Sequence, residues 1–417
     1  MDIKELLGFL ECEKVEFKEL QEICKLQAGD RIIKSMMNDK AKYPVMGGGT
    51  EPTGYYHDYN FNQAITIARA GSAGYVAWQE GKFWATDVCF VATLPTSHCE
   101  TSARKSWQST NTKSKQMDCH EFDKSNSRND KVILKFVFYV LKANEYELKK
   151  HLYGGSMPKL DKNYLWSFPI PLPPLEIQQK IVEILDAFTE LQAELQAELQ
   201  ARRKQYEYYR NKLLSFEELE KRANAIGGGL KLVSLGELGK RNAGTKITAN
   251  QMQALHKENA PVRIFAGGST IADVDYRDLP KKDVIDKPSI ICKARGYIGF
   301  EYYDKPFSHK SEFWSYTIEK NANQKFIYYF LVNQQEYFQQ IAKANSVKIP
   351  QLKVKNTDNF QIPLPPLEVQ NDIVELLDKF DTLANDLSAG LPAEIEARQK
   401  QYEHYREQLL SFREKCE

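Results

Sequence analysis

The sequence lacks the segments that would place a protein in a membrane or send it out of the cell. No apolar run reaches about 18 residues, the least that a membrane-spanning helix needs. The N-terminus, MDIKELLGFLECEKVEF, has neither an apolar core segment nor a small-residue cleavage site. We therefore expect a cytoplasmic protein that contacts no membrane.

Cysteines are few and scattered: there are seven, an odd number, and none forms a CxxC pair. This spacing indicates neither a disulfide framework nor a zinc finger. The dipeptides His98-Cys99 and Cys119-His120 are one alternative, since two His and two Cys can bind zinc tetrahedrally. Adjacent ligands are geometrically awkward, however, and the residues between them are typical of a flexible polar loop. We predict no metal site.

Signatures of catalysis are also missing. No Asn/Asp-Pro-Pro-aromatic motif and no G-x-G-x-x-G after a strand is present to hold a flipped base or S-adenosylmethionine. GKRNAGTK at 239–246 lacks the G-K-[ST] ending of a phosphate loop, so we interpret it as a polar loop. We predict a chain without catalytic residues or a cofactor of its own. A nuclease carboxylate cluster would leave no such signature; activity of the purified chain with S-adenosylmethionine or Mg²⁺ alone would favour an enzyme.

An internal repeat organises the chain. IPLPPLEIQQKIVEILDAFTEL at 170–191 returns as IPLPPLEVQNDIVELLDKFDTL at 362–383, and ARRKQYEYYRNKLLSF at 201–216 returns as ARQKQYEHYREQLLSF at 397–412. The second copy has four more residues between its two blocks, which is about one helical turn.

Each copy has the apolar spacing of a long helix that begins after a Pro-Pro pair. About 40 residues from Leu175 to Leu214 would span roughly 60 Å, so we favour two duplicated, antiparallel spacer helices over ordinary core helices. We expect the following residues to serve helix packing and subunit docking: Leu175, Ile181, Phe188, Tyr206, Tyr209, Leu213, Leu367, Ile373, Phe380, Tyr402, Tyr405 and Leu409.

The predicted fold class is α+β, with two globular domains separated by the spacer helices and a pseudo-twofold internal repeat. The halves also match faintly, as in KFVFYVL (135–141) and KFIYYFL (325–331). The predicted boundaries are a first globular domain at 1–170, a central helix at 171–216, a linker at 217–230, a second globular domain at 231–361 and a C-terminal helix at 362–417.

Nucleic-acid binding is a hypothesis that depends on local charge, because 57 basic and 56 acidic residues leave a net charge of only +1. Basic residues among polar or glycine-containing segments suit contacts with phosphates and base edges. The candidates are Arg69, Arg104, Lys105, Lys113, Lys115, Lys293, Arg295, Lys310, Lys348 and Lys353. A rigid helical spacer between two unlike domains would suit a reader of two unlike half-sites.

The two repeated blocks resemble the conserved regions of type I restriction-modification specificity subunits. The resemblance covers the whole layout, and GSAGYVAWQEGKFWATD (71–87) resembles one class of the family's target-recognition domains. It implies a non-catalytic subunit whose domains each read one half of a bipartite site in double-stranded DNA. It also implies two methyltransferase subunits that use S-adenosylmethionine to methylate adenine at N6. Two restriction subunits that use ATP and Mg²⁺ can join them.

Three tandem ELQA quartets at 190–201 resemble the short central repeat that sets the gap between half-sites in this family. One quartet adds about 6 Å of helix, equal to one or two base-pair steps. The first domain carries a longer polar stretch, at about 94–131, than the second has, and it is either an added DNA-contacting loop or a disordered insertion. An orphan DNA-binding protein or a coiled-coil scaffold without a methyltransferase partner is the alternative to the family's role.

Overall fold

The computed structural model describes residues 3–12, 14–95, 132–319, 322–346, 348–386 and 388–414. These residues divide into two compact units. Unit 1 comprises 1–194 and 396–417, and unit 2 comprises 195–395. Each unit contains one globular domain together with segments from both copies of the helical repeat.

Unit 1 is built on a six-stranded sheet in the order β2-β7-β5-β6-β3-β4 and a small sheet in the order β10-β1-β20. Its elements before the long helix are α1 (Ile3–Cys12), β1 (Lys14–Glu19), α2 (Leu20–Ile23), β2 (Lys25–Ala28), β3 (Tyr43–Met46), β4 (Gly54–Tyr56), β5 (Phe61–Ala68), β6 (Val76–Ala85), β7 (Cys89–Thr93), α3 (Leu134–Ala143), α4 (Glu145–Lys150), β8 (Leu152–Tyr153), β9 (Lys159–Leu160), α5 (Lys162–Trp166) and β10 (Pro169–Leu172).

The long helix α6 (Leu175–Leu213) runs for 39 residues without interruption. It begins directly after Pro173-Pro174, and proline is tolerated at a helix start because the first amides of a helix have no helical partner. The sequence therefore predicted this helix correctly. Its first part belongs to unit 1 and its remainder to unit 2.

Unit 2 contains a four-stranded sheet in the order β12-β18-β15-β16 and a three-stranded sheet in the order β14-β13-β17. Its elements are α7 (Phe216–Ala225), β11 (Lys231–Ser234), α8 (Leu235–Leu238), β12 (Gly239–Ala243), α9 (Ala249–Leu255), β13 (Val262–Phe265), β14 (Ile271–Val274), β15 (Ser289–Lys293), β16 (Gly299–Tyr303), β17 (Phe307–His309), β18 (Trp314–Ile318), α10 (Gln324–Asn333), α11 (Gln335–Asn345), α12 (Val354–Asp358), β19 (Gln361–Leu364) and α13 (Leu367–Asn385). The last elements among the described residues are α14 (Leu391–Leu409) and β20 (Arg413–Glu414).

The two cores follow one plan. Apolar residues of α3 pack on the large sheet of unit 1, where Ile65, Phe136 and Leu141 are fully buried; α10 does the same in unit 2 with Phe326 and Leu331. Burial of each such side chain contributes about 1.5–3 kcal/mol. The strand of each IPLP motif is held in place by an antiparallel partner, β10 by β1 and β19 by β11.

Antiparallel helix packing is present within each unit, as predicted. In unit 1, Phe188 of α6 stacks on Tyr405 of α14 with ring centroids 5.7 Å apart. In unit 2, Tyr209 of α6 stacks on Phe380 of α13 at 5.4 Å. The aromatic residues of the repeated blocks thus fasten helix to helix.

The prediction of one long helix for the second copy is wrong, since the helix is interrupted between Asn385 and Leu391. The Asp386 carboxylate accepts hydrogen bonds from the Ser388 amide (2.7 Å) and hydroxyl (2.6 Å), a local turn that competes with helical bonding. Pro392 then lies in the first turn of α14, where proline is tolerated. The extra residues of this copy therefore form a break rather than a further turn.

Candidate nucleic-acid interface

A hairpin turn in unit 2 lies against a proline-containing segment. The turn joins β15 to β16 through residues 294–298, and Gly296 adopts a φ of +81° that other residues rarely adopt. The Gly296 amide donates to the Pro350 carbonyl (2.8 Å), and the Leu352 amide donates to the Ala294 carbonyl (2.9 Å). The backbone of the turn is thereby fixed: Ala294 and Ile298 are buried in the core, and the Arg295 and Tyr297 side chains are exposed.

Most of the side chains that this edge exposes to solvent are basic or apolar. Arg295, Lys348 and Lys353 are exposed, Tyr297 is 78% exposed and Ile349 is 45% exposed. From 337 to 357 the chain has four lysines and no acidic residue. We call residues 294–298 and 348–353 the hairpin edge of unit 2. Its charge suits phosphates, and its exposed tyrosine and isoleucine suit apolar contact with base edges.

Unit 1 has a hairpin edge of the same construction, formed by residues 69–75 and 156–161. The Leu160 amide donates to the Arg69 carbonyl at 2.9 Å, and Ala70 forms a β-bridge with Lys159. Met157 is 68% exposed and Lys159 is exposed. The segments Met-Pro-Lys-Leu and Ile-Pro-Gln-Leu that complete the two edges lie 192 residues apart, the spacing of the IPLPPLE motifs.

Side chains from the neighbouring helices hold each hairpin. In unit 1, the Glu145 carboxylate accepts from the Val76 amide (2.8 Å), and the Lys142 ammonium donates to the Val76 carbonyl (2.9 Å). In unit 2, the Gln339 side chain accepts from the Ile298 amide (2.8 Å) and donates to the Gly296 carbonyl (3.3 Å). Both edges are therefore preorganised by α3–α4 or by α11.

The predicted DNA-binding residues differ in their position, exposure and ion pairing. The hairpin edge of unit 2 brings Arg295, Lys348 and Lys353 together. Lys293 and Lys310 are instead ion-paired, with Glu301 at 2.6 Å and Glu312 at 3.1 Å, which reduces the positive charge they present. Arg69 is half-buried with its guanidinium 5.6 Å from the centre of the Phe90 ring. Arg104, Lys105, Lys113 and Lys115 lie outside the described residues.

Sequence reasoning missed the residues that complete the edges, namely Tyr297, Ile349, Met157 and Lys159. The signal was available, because the x-Pro-x-Leu segments repeat at the spacing already established for the helices. The repeat does not predict that each x-Pro-x-Leu segment pairs with a hairpin that is distant in sequence.

The segment 239–246 is an edge strand followed by an irregular stretch with an isolated β-bridge at Thr245, not a phosphate loop. β12 pairs antiparallel with β18, and the next helix, α9, begins only at Ala249. The segment lines a cavity of about 1050 Å³ in unit 2. Its lining carries charges of both signs: Lys246 and Lys282 are basic, and Asp283 and Glu319 are acidic. It is therefore a weaker candidate for a polyanion than the hairpin edge.

The residues expected in helix packing and docking separate into two groups. Ile181, Tyr206, Leu213, Ile373 and Leu409 are buried, while Phe188, Phe380, Tyr402 and Tyr405 are half-buried. Tyr209 is 36% exposed, Leu175 41% and Leu367 46%. Leu175 and Leu367 occupy the same position of the repeated PPLE motif. They are thus free to contact another protein, whereas the buried group stabilises the helix pairs.

The described residues were searched for metal ligands and reactive thiols. Within the described ranges, no group of three or more His, Cys, Asp or Glu residues could hold a metal ion. His98, Cys99, Cys119 and His120 lie outside those ranges. Cys24, Cys89 and Cys292 are buried free thiols, and burial raises the pKa of each. In the described part of the chain, no helix is long and apolar enough to cross a membrane.

Comparison with known proteins gives one consistent picture. The model of the type I restriction modification DNA specificity domain matches residues 12–119, 114–202 and 228–397. A putative type I restriction enzyme specificity subunit of Haemophilus influenzae is 30% identical over 97% of each chain. The EcoR124I/EcoR124II specificity subunit of Escherichia coli is 32% identical over 68% of this chain and 72% of its own.

Solved structures share the fold. The S subunit of a type I restriction-modification system from M. genitalium superposes with a TM-score of 0.63 at 18% identity, covering 95% of this chain and 96% of its own. A chain from a structural study of complex assembly in a type I system has a TM-score of 0.53 at 13% identity, covering 95% and 99%. The predicted α+β fold class, with two recognition domains and long helices, is confirmed.

Proposed function

The chain belongs to the type I restriction-modification DNA specificity family, and we propose that each hairpin edge reads one half of a bipartite site in double-stranded DNA. The observation that carries this proposal is the duplicated edge. Two edges, each built on a fixed turn and supported by its own helices, carry exposed basic and apolar side chains. A preformed surface of this kind pays little ordering entropy on binding.

We assign different tasks to the residues of the edges. We propose that Arg295 makes a bidentate contact with guanine, the commonest specific contact of arginine in the major groove. We assign Lys348 and Lys353 to phosphates, which position the protein without specifying sequence. We assign Tyr297 and Ile349 to apolar contact, for example with the methyl group of thymine. In unit 1, Met157 and Lys159 take the corresponding tasks.

The chain is the specificity component of its complex, and we propose that it has no catalytic activity of its own. On this proposal, two methyltransferase subunits bind the conserved helices and methylate adenine at N6 with S-adenosylmethionine. Two restriction subunits add cleavage with ATP and Mg²⁺. The exposed Leu175 and Leu367 suit such a docking role, because each repeats the other's position on its helix.

The test is methylation mapping across the genome of cells that express the chain with its candidate methyltransferase partner. We expect a split motif of two unlike half-sites around a fixed gap, and only when both proteins are present. Arg295→Ala should relax the sequence requirement in one half-site and leave the other unchanged. Lys293→Ala, at an ion-paired position nearby, is the matched control and should change neither.

A different result would redirect the interpretation. If a soluble, correctly paired complex produces no new methylation, the chain is an orphan DNA-binding protein or a scaffold. If the purified chain alone methylates or cuts DNA, it contains an active site and the non-catalytic role is wrong.

A further inference from the structure

Each conserved helix carries a buried glutamine at the same position of its repeat. Gln178 and Gln370 lie in the first turns of α6 and α13, and both are 0% exposed. The Gln178 side chain accepts from the Ile133 amide (2.9 Å) and donates to the Pro173 carbonyl (2.8 Å). The backbone groups it binds belong to the N-cap of α3 and to the Pro-Pro pair.

The second copy repeats these contacts. The Gln370 side chain accepts from the Asn323 amide (2.8 Å), at the N-cap of α10, and donates to the Pro365 carbonyl (2.7 Å). A helix N-terminus has amides without helical partners, and glutamine has one acceptor and one donor group to use here. The same side chain thus joins the start of a globular-domain helix to the start of a conserved helix, twice.

A second contact follows eight residues further along each conserved helix, about 12 Å away. Asp186 accepts a hydrogen bond from the Tyr139 hydroxyl and pairs with the Lys135 ammonium at 2.9 Å. Asp378 accepts from the Tyr329 hydroxyl at 2.5 Å and pairs with the Lys325 ammonium at 2.6 Å.

Both tyrosines remain hydrogen-bond donors. Burial, and secondly the hydrogen bond to the aspartate, raises the pKa of Tyr139 and of Tyr329 well above the usual range. Two contacts at separate points fix the angle between the conserved helix and the globular-domain helix, whereas a single contact would let one helix rotate about the other.

The helix that contacts the glutamine and the aspartate, α3 in unit 1 and α10 in unit 2, is connected to the hairpin edge of the same unit. In unit 1, α3 ends at Ala143, next to the Lys142 and Glu145 side chains that hold Val76 of the hairpin. In unit 2, α10 is followed after one residue by α11, whose Gln339 holds the hairpin. A continuous path of hydrogen bonds and packed helices therefore connects each conserved helix to its edge.

We propose that the glutamine–aspartate pair of each conserved helix is a positioning device that fixes the angle at which the unit presents its hairpin edge. The inference rests on the proposed function. Its consequence is that strictness about the gap between half-sites depends on Gln178, Asp186, Gln370 and Asp378, none of which lies on a hairpin edge. A loosened edge reads the same bases but tolerates a wrong gap.

The experiment uses the complex of the full chain with its methyltransferase partner. Initial methylation rates are measured on duplexes that carry both half-sites at the gap used by the unaltered complex, and at gaps one base pair shorter and longer. For Gln178→Met and Gln370→Met, we expect the preference for the correct gap to fall at least about tenfold, or about 1.4 kcal/mol of discrimination. Base preference within the half-sites should stay unchanged.

Control variants separate positioning from general damage. Gln179→Met changes the exposed neighbour of Gln178 and should keep the full gap preference. Asp186→Asn keeps an acceptor for Tyr139 and removes only the charge opposite Lys135. It should therefore fold and show a smaller loss, and it decides the question if Gln178→Met does not fold.

The outcomes are distinguishable. A lower rate at every gap with an unchanged gap preference means that these residues only stabilise the chain, and it overturns the inference while leaving the proposed function intact. If the unaltered complex recognises no split site, the proposed function fails and this inference fails with it.

Discussion

Removing two lysines from the hairpin edge of unit 2 should reduce the salt dependence of DNA binding by a calculable amount. Lys348 and Lys353 are exposed, and among the described residues no carboxylate lies within 4.0 Å of either. Each phosphate contact contributes about 0.9 to the slope of log K against log salt concentration. Lys348→Ala combined with Lys353→Ala should therefore reduce the slope by about 1.8. Between 50 and 200 mM salt, the affinity ratio of unaltered to variant complex should narrow about twelvefold.

The assay is a titration of a labelled duplex containing the site, by fluorescence anisotropy, at several salt concentrations in that range. Lys310→Ala is the matched control, because its ammonium is already paired with Glu312 at 3.1 Å. It should change the slope much less. A double variant with the slope of the unaltered complex would refute the assignment of these lysines to phosphates and would move the DNA interface elsewhere on the unit.

Three further predictions concern other parts of the chain. Burial lowers the pKa of His309 to about 4, so its stabilising contribution is complete above about pH 6.5 and is lost as the pH falls toward 4. Urea unfolding should show a loss of about 2 kcal/mol between pH 7 and pH 5 that His309→Gln lacks; equal losses would contradict this. Deleting one ELQA quartet from 190–201 should change the gap in the methylated motif but not the half-sites, and altered half-sites would rule out the spacer role. Tyr206→Asp should lower thermal stability and abolish assembly with the methyltransferase, because Tyr206 is buried. Tyr209→Asp, at a position 36% exposed, should cost far less stability, and equal effects would count against the burial argument.

The sequence predicts the helices well because their pattern is local. Apolar residues at helical spacing and a Pro-Pro start are sufficient to locate α6, and the same features locate α13. The break after α13 was not predicted, because the argument from local pattern assumed that the extra residues between the two helical blocks are helical too. Asp386 and Ser388 form a turn, and Gly390 lies so close to the Thr382 carbonyl that a Cβ atom there would be 2.3 Å from its oxygen.

The hairpin edges were only partly predictable, for a different physical reason. Arg295 and Lys348 are far apart in sequence, and the backbone hydrogen bonds of Gly296 and Leu352 bring them onto one edge. Charge alone was also misleading, since Lys293 and Arg295 are two residues apart, yet within the described ranges only Lys293 has a carboxylate partner. Which basic residue remains available depends on the partner strand, and that information is tertiary.

Comparison of the two copies of the internal repeat distinguishes positions with the same residue in both units from positions where the residues differ. Positions that build the frame are the same in both copies: the glutamine and aspartate of the conserved helix and the proline and leucine of the x-Pro-x-Leu segment. Positions that are exposed on the edge differ, with Ser156, Met157 and Lys159 in one copy against Lys348, Ile349 and Gln351 in the other.

Frame and edge are therefore physically separable. A change at an exposed edge position leaves the buried hydrogen bonds of the frame intact, so it costs little stability. It does alter the donors, acceptors and apolar groups offered to a base pair. Two edges of one construction with different side chains should read different sequences, and each should be replaceable without disturbing the other. A split site with unlike halves follows from this separation.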